Sequence, residues 1–123
     1  MNLIAKYFSS LNNHQLQKLE SLYSVYADWN SKINLISRKD MNYFYLRHVL
    51  HSLSIAKFYK FKSGSRVMDV GTGGGFPGIP LSIFFPDVNF HLVDSIGKKI
   101  NVIEVIREEL NLKNVNTHNE RME

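Results

Sequence analysis

The stretch Arg66-Val-Met-Asp-Val-Gly-Thr-Gly-Gly-Gly75 decides the fold class of this chain. Its first five residues predict a short strand, and the glycines predict a tight turn directly after it. Residues Phe76 to Phe85 are largely apolar and predict a helix, with Pro77 near its first turn, where proline is well tolerated. The order of strand, glycine turn and helix indicates an α/β fold with a ligand site at the turn.

The sequence after this helix continues the alternation. Asn89 to Asp94 predicts a second strand, Gly97 to Leu110 predicts a helix capped by Ser95, and Asn114 to His118 predicts a third strand. Such alternation is typical of parallel strands joined by right-handed crossovers. We therefore expect a parallel sheet.

The first sixty residues have helical periodicity. Apolar residues from Gln15 to Ile33 recur at intervals of three and four, and Asn12 or Asn13 is suited to cap that helix. A polar break at 37–40 separates it from a second apolar segment, from about Asn42 to Tyr59, for which we also expect helix. The pattern predicts a helical N-terminal part followed by an α/β core.

Size and composition narrow the possibilities. The chain has 123 residues, about the size of one compact domain, and it contains no Cys, which excludes disulfides, zinc–thiolate sites and cysteine nucleophiles. The N-terminal residues do not resemble a signal peptide, and no apolar run approaches the roughly 20 residues of a transmembrane helix. A cytoplasmic protein without membrane attachment is expected. The net charge of +4 is compatible with an anionic partner.

The strand, turn, helix and strand together predict a site for an adenosine-containing cofactor. Glycines permit positive φ and let a ligand approach the backbone, so Gly71, Gly73 and Gly75 are candidate contacts. The helix that follows presents free N–H groups at its start. Asp94 ends the second strand, where a carboxylate can accept hydrogen bonds from a ribose diol, and Ser95 follows it.

Two cofactor classes fit this layout. Gly73-x-Gly75-x-x-Gly78 satisfies the dinucleotide spacing, which is a weak signal by itself. Asp69, near the end of the first strand, would repel a pyrophosphate but suits S-adenosylmethionine, which is cationic at sulfur and carries no phosphate. Pro77 and Pro80 also lack the N–H groups that a pyrophosphate would use. We therefore favour methyl transfer over an NAD-binding, dehydrogenase-like domain. Asp69 either contacts the cofactor or accepts hydrogen bonds from the turn itself.

Four segments of the chain carry a family resemblance. They are Trp29-Asn30 with Asn34-Leu-Ile-Ser37, Arg47-His-Val-Leu-His-Ser52, Val67-Met-Asp-Val-Gly-Thr-Gly-Gly-Gly-Phe-Pro-Gly-Ile-Pro-Leu81, and Asp94-Ser95 with Lys98-Lys99. Together they resemble the GidB/RsmG family of 16S ribosomal RNA methyltransferases. The resemblance implies a Rossmann-like fold whose first three strands run in the order 3-2-1. It also implies methyl transfer from S-adenosylmethionine to N7 of a guanine in 16S ribosomal RNA, either as free RNA or within the small-subunit particle.

The resemblance also implies roles for individual residues. Gly71 and Phe76 would line the cofactor pocket, although Phe76 can equally be a core residue at the start of a helix. Arg121 would support activity or RNA contact. Two further residues, Met122 and Glu123, would flank the adenine. Residues Lys98 and Lys99 either neutralise RNA phosphates or form the solvated first turn of a helix.

The family pattern is not matched at every position. His51 stands where the family usually has Asp, and the family continues beyond Glu123 through further strands. We expect one structural unit in which a helical segment, residues 1–62, packs on a partial methyltransferase core, residues 63–123. We also expect the chain alone to be inactive and to self-associate through the uncovered strand at 67–70.

No catalytic acid or base is expected. Guanine N7 carries an exposed lone pair and is unprotonated at neutral pH, so alignment and electrostatics would supply the catalysis. No metal site is expected either. A non-catalytic RNA-binding module with a vestigial cofactor turn is the alternative function.

Overall fold

Three parallel strands form one sheet in the computed structural model, which describes residues 2–33, 36–37 and 41–121. The strands are β1 at Arg66–Val70, β2 at Asn89–Asp94 and β3 at Val115–Asn119. β2 pairs with β1 on one side and with β3 on the other. The predicted α/β class, the parallel strands and their order are confirmed. The third strand begins one residue later than predicted, at Val115 instead of Asn114.

Seven helical segments accompany this sheet among the described residues. In chain order they are α1 at Asn2–Tyr7, α2 at Asn13–Asn30, a π-helix at Tyr45–Leu50, α3 at His51–Leu53, α4 at Ile55–Phe58, α5 at Gly78–Phe84 and α6 at Gly97–Glu109. None of the described helices has both the length and the apolar character needed to cross a bilayer.

α2 forms where the apolar periodicity predicts it. Asn12 is its N-cap, and a capping box closes the first turn: Gln15 N–H donates to Asn12 Oδ1 at 2.8 Å, and Asn12 N–H donates to Gln15 Oε1 at 2.9 Å. Leu19, Leu22 and Tyr26 are fully buried on the inner side of the helix. They anchor α2 against α5, and α3 also packs on α5. The division of the chain at residue 62 stays a prediction.

The single helix predicted for 42–59 is wrong in detail. A π-helix and two short α-helices replace it, and the predicted apolar face is broken, since Leu46 is 58% and Phe58 89% exposed. A π-turn closes i→i+5 hydrogen bonds, so a spacing of three and four no longer keeps side chains on one face. The Ser52 and Ser54 hydroxyls also bond back to the carbonyl groups of the preceding turn, which competes with regular helix.

One helix start and one helix cap differ from expectation. α5 begins at Gly78 instead of Phe76, because the N–H groups of Gly75 and Phe76 donate to the Thr72 carbonyl and close a turn there. Ser95 is exposed and does not cap α6, so that prediction is wrong. The N–H of Ile96 donates instead to Asp94 Oδ1 at 2.9 Å, which satisfies the residue before the helix.

The two faces of the sheet have different environments. α5 and α6 pack on one face, where Phe90, Leu92 and Val115 are buried. On the other face Met68 and Val70 of β1 are 54% and 56% exposed. β1 is also an edge strand among the described residues.

A buried hydroxyl joins the helical segment to the glycine turn. Tyr26 has no exposed surface, and its hydroxyl donates to the Gly74 carbonyl at 2.7 Å. Burial raises the pKa of the Tyr26 phenol, which keeps the hydroxyl protonated as a donor at neutral pH. The position of the turn therefore depends on a residue 48 positions earlier in the chain.

We predict that Tyr26→Phe lowers the free energy of unfolding by about 1–3 kcal/mol, because the buried Gly74 carbonyl loses its donor. Urea unfolding monitored by circular dichroism measures this change. The control is Tyr23→Phe, which removes a hydroxyl from a side chain that is 43% exposed and should change stability by less than about 0.5 kcal/mol. Equal effects of the two substitutions would contradict the role assigned to the Tyr26 hydroxyl.

Candidate functional site

The glycine turn leaves open space beside two of its glycines. Gly71 and Gly73 have φ values of 71° and 59°, in the left-handed region that glycine adopts without steric cost. A Cβ built on either residue would have no neighbour within 4 Å. A ligand can therefore approach the backbone at these two predicted contact residues.

Gly75 is required for a different reason. Its φ is 101°, and a Cβ there would lie 2.7 Å from the Tyr26 hydroxyl oxygen and 2.8 Å from Ile79 Cγ1. Both distances are too short for a real contact, so the close packing of the helical segment on the turn demands glycine at this position. A cofactor contact by Gly75 stays a prediction.

Most N–H groups of the turn are used within the protein. Those of Gly71 and Thr72 donate to the Val93 carbonyl, at 2.8 and 3.0 Å, and those of Gly75 and Phe76 donate to the Thr72 carbonyl. The proline at 77 has no N–H to offer. Phosphate sites at glycine turns depend on several free N–H groups, so this turn is poorly equipped for a pyrophosphate.

Asp69 bonds within the turn. Its Oδ2 accepts from the Thr72 hydroxyl at 2.7 Å and from the Gly78 N–H at 3.1 Å. Of the two roles considered for Asp69, the structure thus shows the bond to the turn itself. Partial burial raises the pKa of the Asp69 carboxyl, and the negative charge of Asp94 acts in the same direction, whereas the two hydrogen bonds oppose the shift.

Asp94 connects the turn to the start of α6. Its Oδ2 accepts from the Gly73 N–H at 2.8 Å, and its Oδ1 accepts from the Ile96 N–H at 2.9 Å. An ionised carboxylate has about four acceptor positions, so these two bonds leave capacity for hydroxyl donors of a ligand. The second carboxylate near the turn makes the site acidic, which favours a cation or a diol over a phosphate.

Several predicted residues meet at one cavity at the carboxyl ends of the strands. It has a volume of about 190 Å³ and is lined by Gly71, Asp94, Ser95 and Arg121. Glu120 also lines the cavity, and it was not predicted from the sequence as a site residue. Its position directly after the third strand could have indicated it, because ligands bind at the carboxyl ends of parallel strands. Its N–H donates to the Asp94 carbonyl at 3.1 Å, which holds the chain after β3 beside β2.

The remaining predicted residues lie elsewhere. Lys98 is exposed and Lys99 half-buried in the first turn of α6, and neither lines this cavity. Met122 and Glu123 lie outside the described residues.

Phe76 contacts protein rings on several sides. Its ring centre lies 5.0 Å from those of Tyr26 and His48 and 5.8 Å from that of Phe44. These partners come from the helical segment, and periodicity alone gave no sign that they surround Phe76. The core role of Phe76 is therefore observed, and its cofactor contact stays a prediction.

The sequence is similar to one named family along most of its length. Residues 15–123 match the GidB family, described as rRNA small subunit methyltransferase G. Ribosomal RNA small subunit methyltransferase G of Christiangramia forsetii is 55% identical over 123 residues, which cover 100% of this chain and 58% of that protein. The protein of the same name from Bacteroides fragilis is 56% identical over 123 residues, which cover 100% of this chain and 60% of that protein. The chain thus spans about three fifths of the length of these relatives.

One solved structure is similar to part of this chain. The YcgJ protein from Bacillus subtilis is 27% identical, with a TM-score of 0.47, over 55% of this chain and 29% of that one. This likeness is too slight to support an argument about function.

We predict that Asp69→Asn changes the pH dependence of stability. Because the pKa of Asp69 is raised above its usual 3.8 in the folded state, the folded protein binds this proton more tightly than the unfolded chain. As pH rises from the usual pKa of a carboxyl group through the raised pKa of Asp69, the parent loses stability, because its partly buried carboxyl must ionise. The variant does not lose this stability, because asparagine stays neutral. Unfolding in urea at a series of pH values should show the variant gaining stability relative to the parent across this window.

The control for the Asp69 experiment is Asp87→Asn, which removes a negative charge from an exposed carboxylate before β2. It separates the effect of burial at Asp69 from the change in net charge. The quantity to follow is the free energy of unfolding of Asp69→Asn minus that of the parent. If this quantity does not increase with rising pH, the prediction is contradicted.

Proposed function

This chain belongs to the GidB family of rRNA small subunit methyltransferase G proteins, and we propose that the complete protein methylates N7 of a guanine in 16S ribosomal RNA with S-adenosylmethionine. The observation that carries the cofactor assignment is the glycine turn, whose N–H groups largely bond within the protein beside two carboxylates. Such a site favours a cationic cofactor without phosphates over a dinucleotide. The NAD-binding alternative is therefore the weaker one.

Residues of this chain would hold the cofactor at the carboxyl ends of β1 and β2. Gly71 and Gly73 would lie against it, because both face open space. Asp94 would accept hydrogen bonds from the ribose diol with the acceptor positions that its two backbone bonds leave, and Ser95 lies beside it. When bound, the cofactor supplies the activated methyl group.

Other cofactor contacts are proposed on the resemblance to the family. Phe76 and Gly75 lie on the side of the turn that meets the helical segment. Asp69 would hold the turn in place by accepting hydrogen bonds from the Thr72 hydroxyl and the Gly78 N–H. The proposed adenine contacts, Met122 and Glu123, complete the set. Asp69 is accordingly a positioning residue of the turn in this proposal.

The proposed RNA contacts are basic residues near the same end of the sheet. Arg121 lines the cavity that contains Gly71 and Asp94, and this shared lining supports an RNA contact beside the proposed cofactor site. Lys98 and Lys99 are in the first turn of α6, which begins three residues after Asp94. Since N7 needs no general base, the proposal assigns these residues to phosphate or O6 binding and assigns no acid or base. The proposed setting is the cytoplasm, with free 16S RNA or the small-subunit particle as partner.

We predict that this chain binds S-adenosylhomocysteine and not NADH, and that Asp94→Asn weakens the binding. The loss of a hydrogen bond between a carboxylate and the ribose should cost about 1.5–3 kcal/mol, roughly a 10- to 100-fold change in Kd. Isothermal titration calorimetry measures both ligands, with circular dichroism to confirm that the variant is folded. Asp87→Asn, which removes an equivalent charge away from the turn, should bind like the parent.

Three results of the titration would contradict the cofactor assignment or the role of Asp94 in it. They are binding of NADH alone, binding of neither ligand by a folded chain, and equal affinity of the Asp94 variant and the parent. The second result, together with salt-dependent RNA binding, would support the non-catalytic RNA-binding module instead.

In the complete protein, we predict that Arg121→Ala lowers methyl transfer to RNA about tenfold or more, because one phosphate or O6 contact is lost. The affinity for S-adenosylhomocysteine should stay within about twofold of the parent, since the proposed contact is with RNA. Incorporation of labelled methyl groups into 16S RNA and into small-subunit particles measures the first effect. Unchanged turnover on both substrates would overturn the role of Arg121.

We also propose self-association of this chain through β1, which is an edge strand among the described residues. Exposed edge strands with apolar side chains pair with other chains, and Met68 and Val70 are more than half exposed. Light scattering should therefore give a mass above the 14.3 kDa of one chain. Met68→Lys should reduce the mass towards that of a monomer, because a charge on an edge strand opposes pairing. A monomeric parent at high concentration would contradict this proposal.

A further inference from the structure

A second cleft opens beside the glycine turn, on the side of the helical segment. Its volume is about 360 Å³, and its walls include Arg47, His51, Ile55, Phe76 and Pro77. Phe76 and Pro77 follow the turn directly in sequence, so the cleft adjoins the proposed methyl-donor site. It shares no lining residue with the cavity that contains Asp94.

Arg47 gives this cleft a positive charge. Arg47 and His51 are both exposed, and no Asp or Glu is among the lining residues. The Arg47 guanidinium lies 4.7 Å from the centre of the Tyr43 ring, a cation–π contact that restrains its position. Ile55 and Pro77 add apolar surface to the same walls. The combination of hydrogen-bond donors and apolar surface suits a nucleotide backbone.

The cleft is fixed to the turn by ring packing. The His48 ring packs on Phe76 at 5.0 Å between centres, and Phe44 contacts both rings. The Ser52 hydroxyl donates to the His48 carbonyl at 2.5 Å, which ties the π-helix to α3. Arg47 and His51 therefore project from a segment held against the residue that follows the turn.

We infer that this cleft binds the single-stranded backbone of the RNA substrate next to the target guanine, with Arg47 and His51 donating to phosphate oxygens. The inference rests on the proposed function, because the RNA must reach the turn where the methyl donor would lie. Arginine and imidazole N–H groups form charge-assisted hydrogen bonds with phosphate. The sugar carbons face Ile55 and Pro77. Two phosphate contacts at this point would leave N7 of the guanine free.

The test uses fluorescence anisotropy of a labelled, guanine-containing single-stranded RNA with this chain at several salt concentrations. Arg47→Ala should weaken RNA binding about tenfold, and should reduce the slope of log K against log salt by about 0.7. Arg47→Lys should restore the slope because it restores the charge. His51→Ala should weaken binding less, about threefold, because an imidazole offers phosphate fewer N–H donors than a guanidinium.

Lys113→Ala is the matched control. It removes one positive charge from an exposed residue that lines a different cavity, with Lys18 and Asn111. Its RNA affinity should stay within about twofold of the parent. Calorimetry with S-adenosylhomocysteine on every variant shows whether the cofactor site is intact.

The outcomes separate this inference from the proposed function. Cofactor binding by all variants, with RNA binding weakened at Arg47 and not at Lys113, supports the cleft. Equal effects at Arg47 and Lys113, or no RNA binding by a parent that binds the cofactor analogue, overturn the cleft and leave the cofactor assignment standing. A parent that binds RNA through Arg47 but not S-adenosylhomocysteine overturns the cofactor assignment instead.

Discussion

The carboxylate of Asp94 accepts one N–H from the glycine turn and one from the residue before α6, and the site depends on this pair of bonds. Gly73 adopts a positive φ, so its N–H is directed across the end of the sheet towards β2. Without an acceptor there, a polar backbone group would be left unsatisfied at the point where β1 and β2 end. The same carboxylate lines the cavity and accepts hydrogen bonds both from the turn and from the residue before α6.

This arrangement has a chemical consequence for the ligand. A turn that binds pyrophosphate leaves its N–H groups free for phosphate oxygens, whereas here Gly71 and Thr72 donate to the Val93 carbonyl and Gly73 donates to Asp94. A ligand at the turn would find open space beside Gly71 and Gly73 and the carboxylate oxygens of Asp94 nearby. Those features favour a hydroxyl-bearing cation over a polyanion. In the proposed function, selectivity for the cofactor follows from the acceptors to which the backbone N–H groups of the turn bond, and glycine spacing alone does not encode it.

The sequence predicts those parts of the fold that depend on neighbouring residues, such as the ends of strands and the caps of helices. β2 ends at Asp94 as the alternation predicts, and Asn12 caps α2 because its side chain and that of Gln15 satisfy each other's N–H groups. The π-helix at Tyr45–Leu50 was not predictable, because a change from i→i+4 to i→i+5 bonding leaves no clear mark on a broad apolar stretch. Ser95 does not take the capping role expected of it, and no side chain caps α6; the neighbouring Asp94 carboxylate accepts the N–H of Ile96, the residue before the helix.

The site residues also divide into those that local sequence order identifies and those that depend on tertiary packing. Gly71 and Asp94 could be identified because the order of strand, turn and strand places them at one end of the sheet. The need for glycine at position 75 depends on Tyr26, which is distant in sequence, so the spacing suggested a ligand contact where the structure shows packing. The ring cluster around Phe76 has the same origin, since His48 and Phe44 reach it only through the tertiary fold.

The most direct measurement is a ¹H–¹⁵N correlation spectrum of the labelled chain titrated with S-adenosylhomocysteine. We expect the largest shift changes at the amides of Gly71, Gly73 and Ser95, which border the cavity or the open space beside the turn. Saturation at these positions, with little change in the loop that contains Asn111 and Lys113, would locate the cofactor where the carboxylate and the turn meet. Unchanged turn amides, or shifts confined to that distant loop, would contradict the assignment of the turn as the cofactor site.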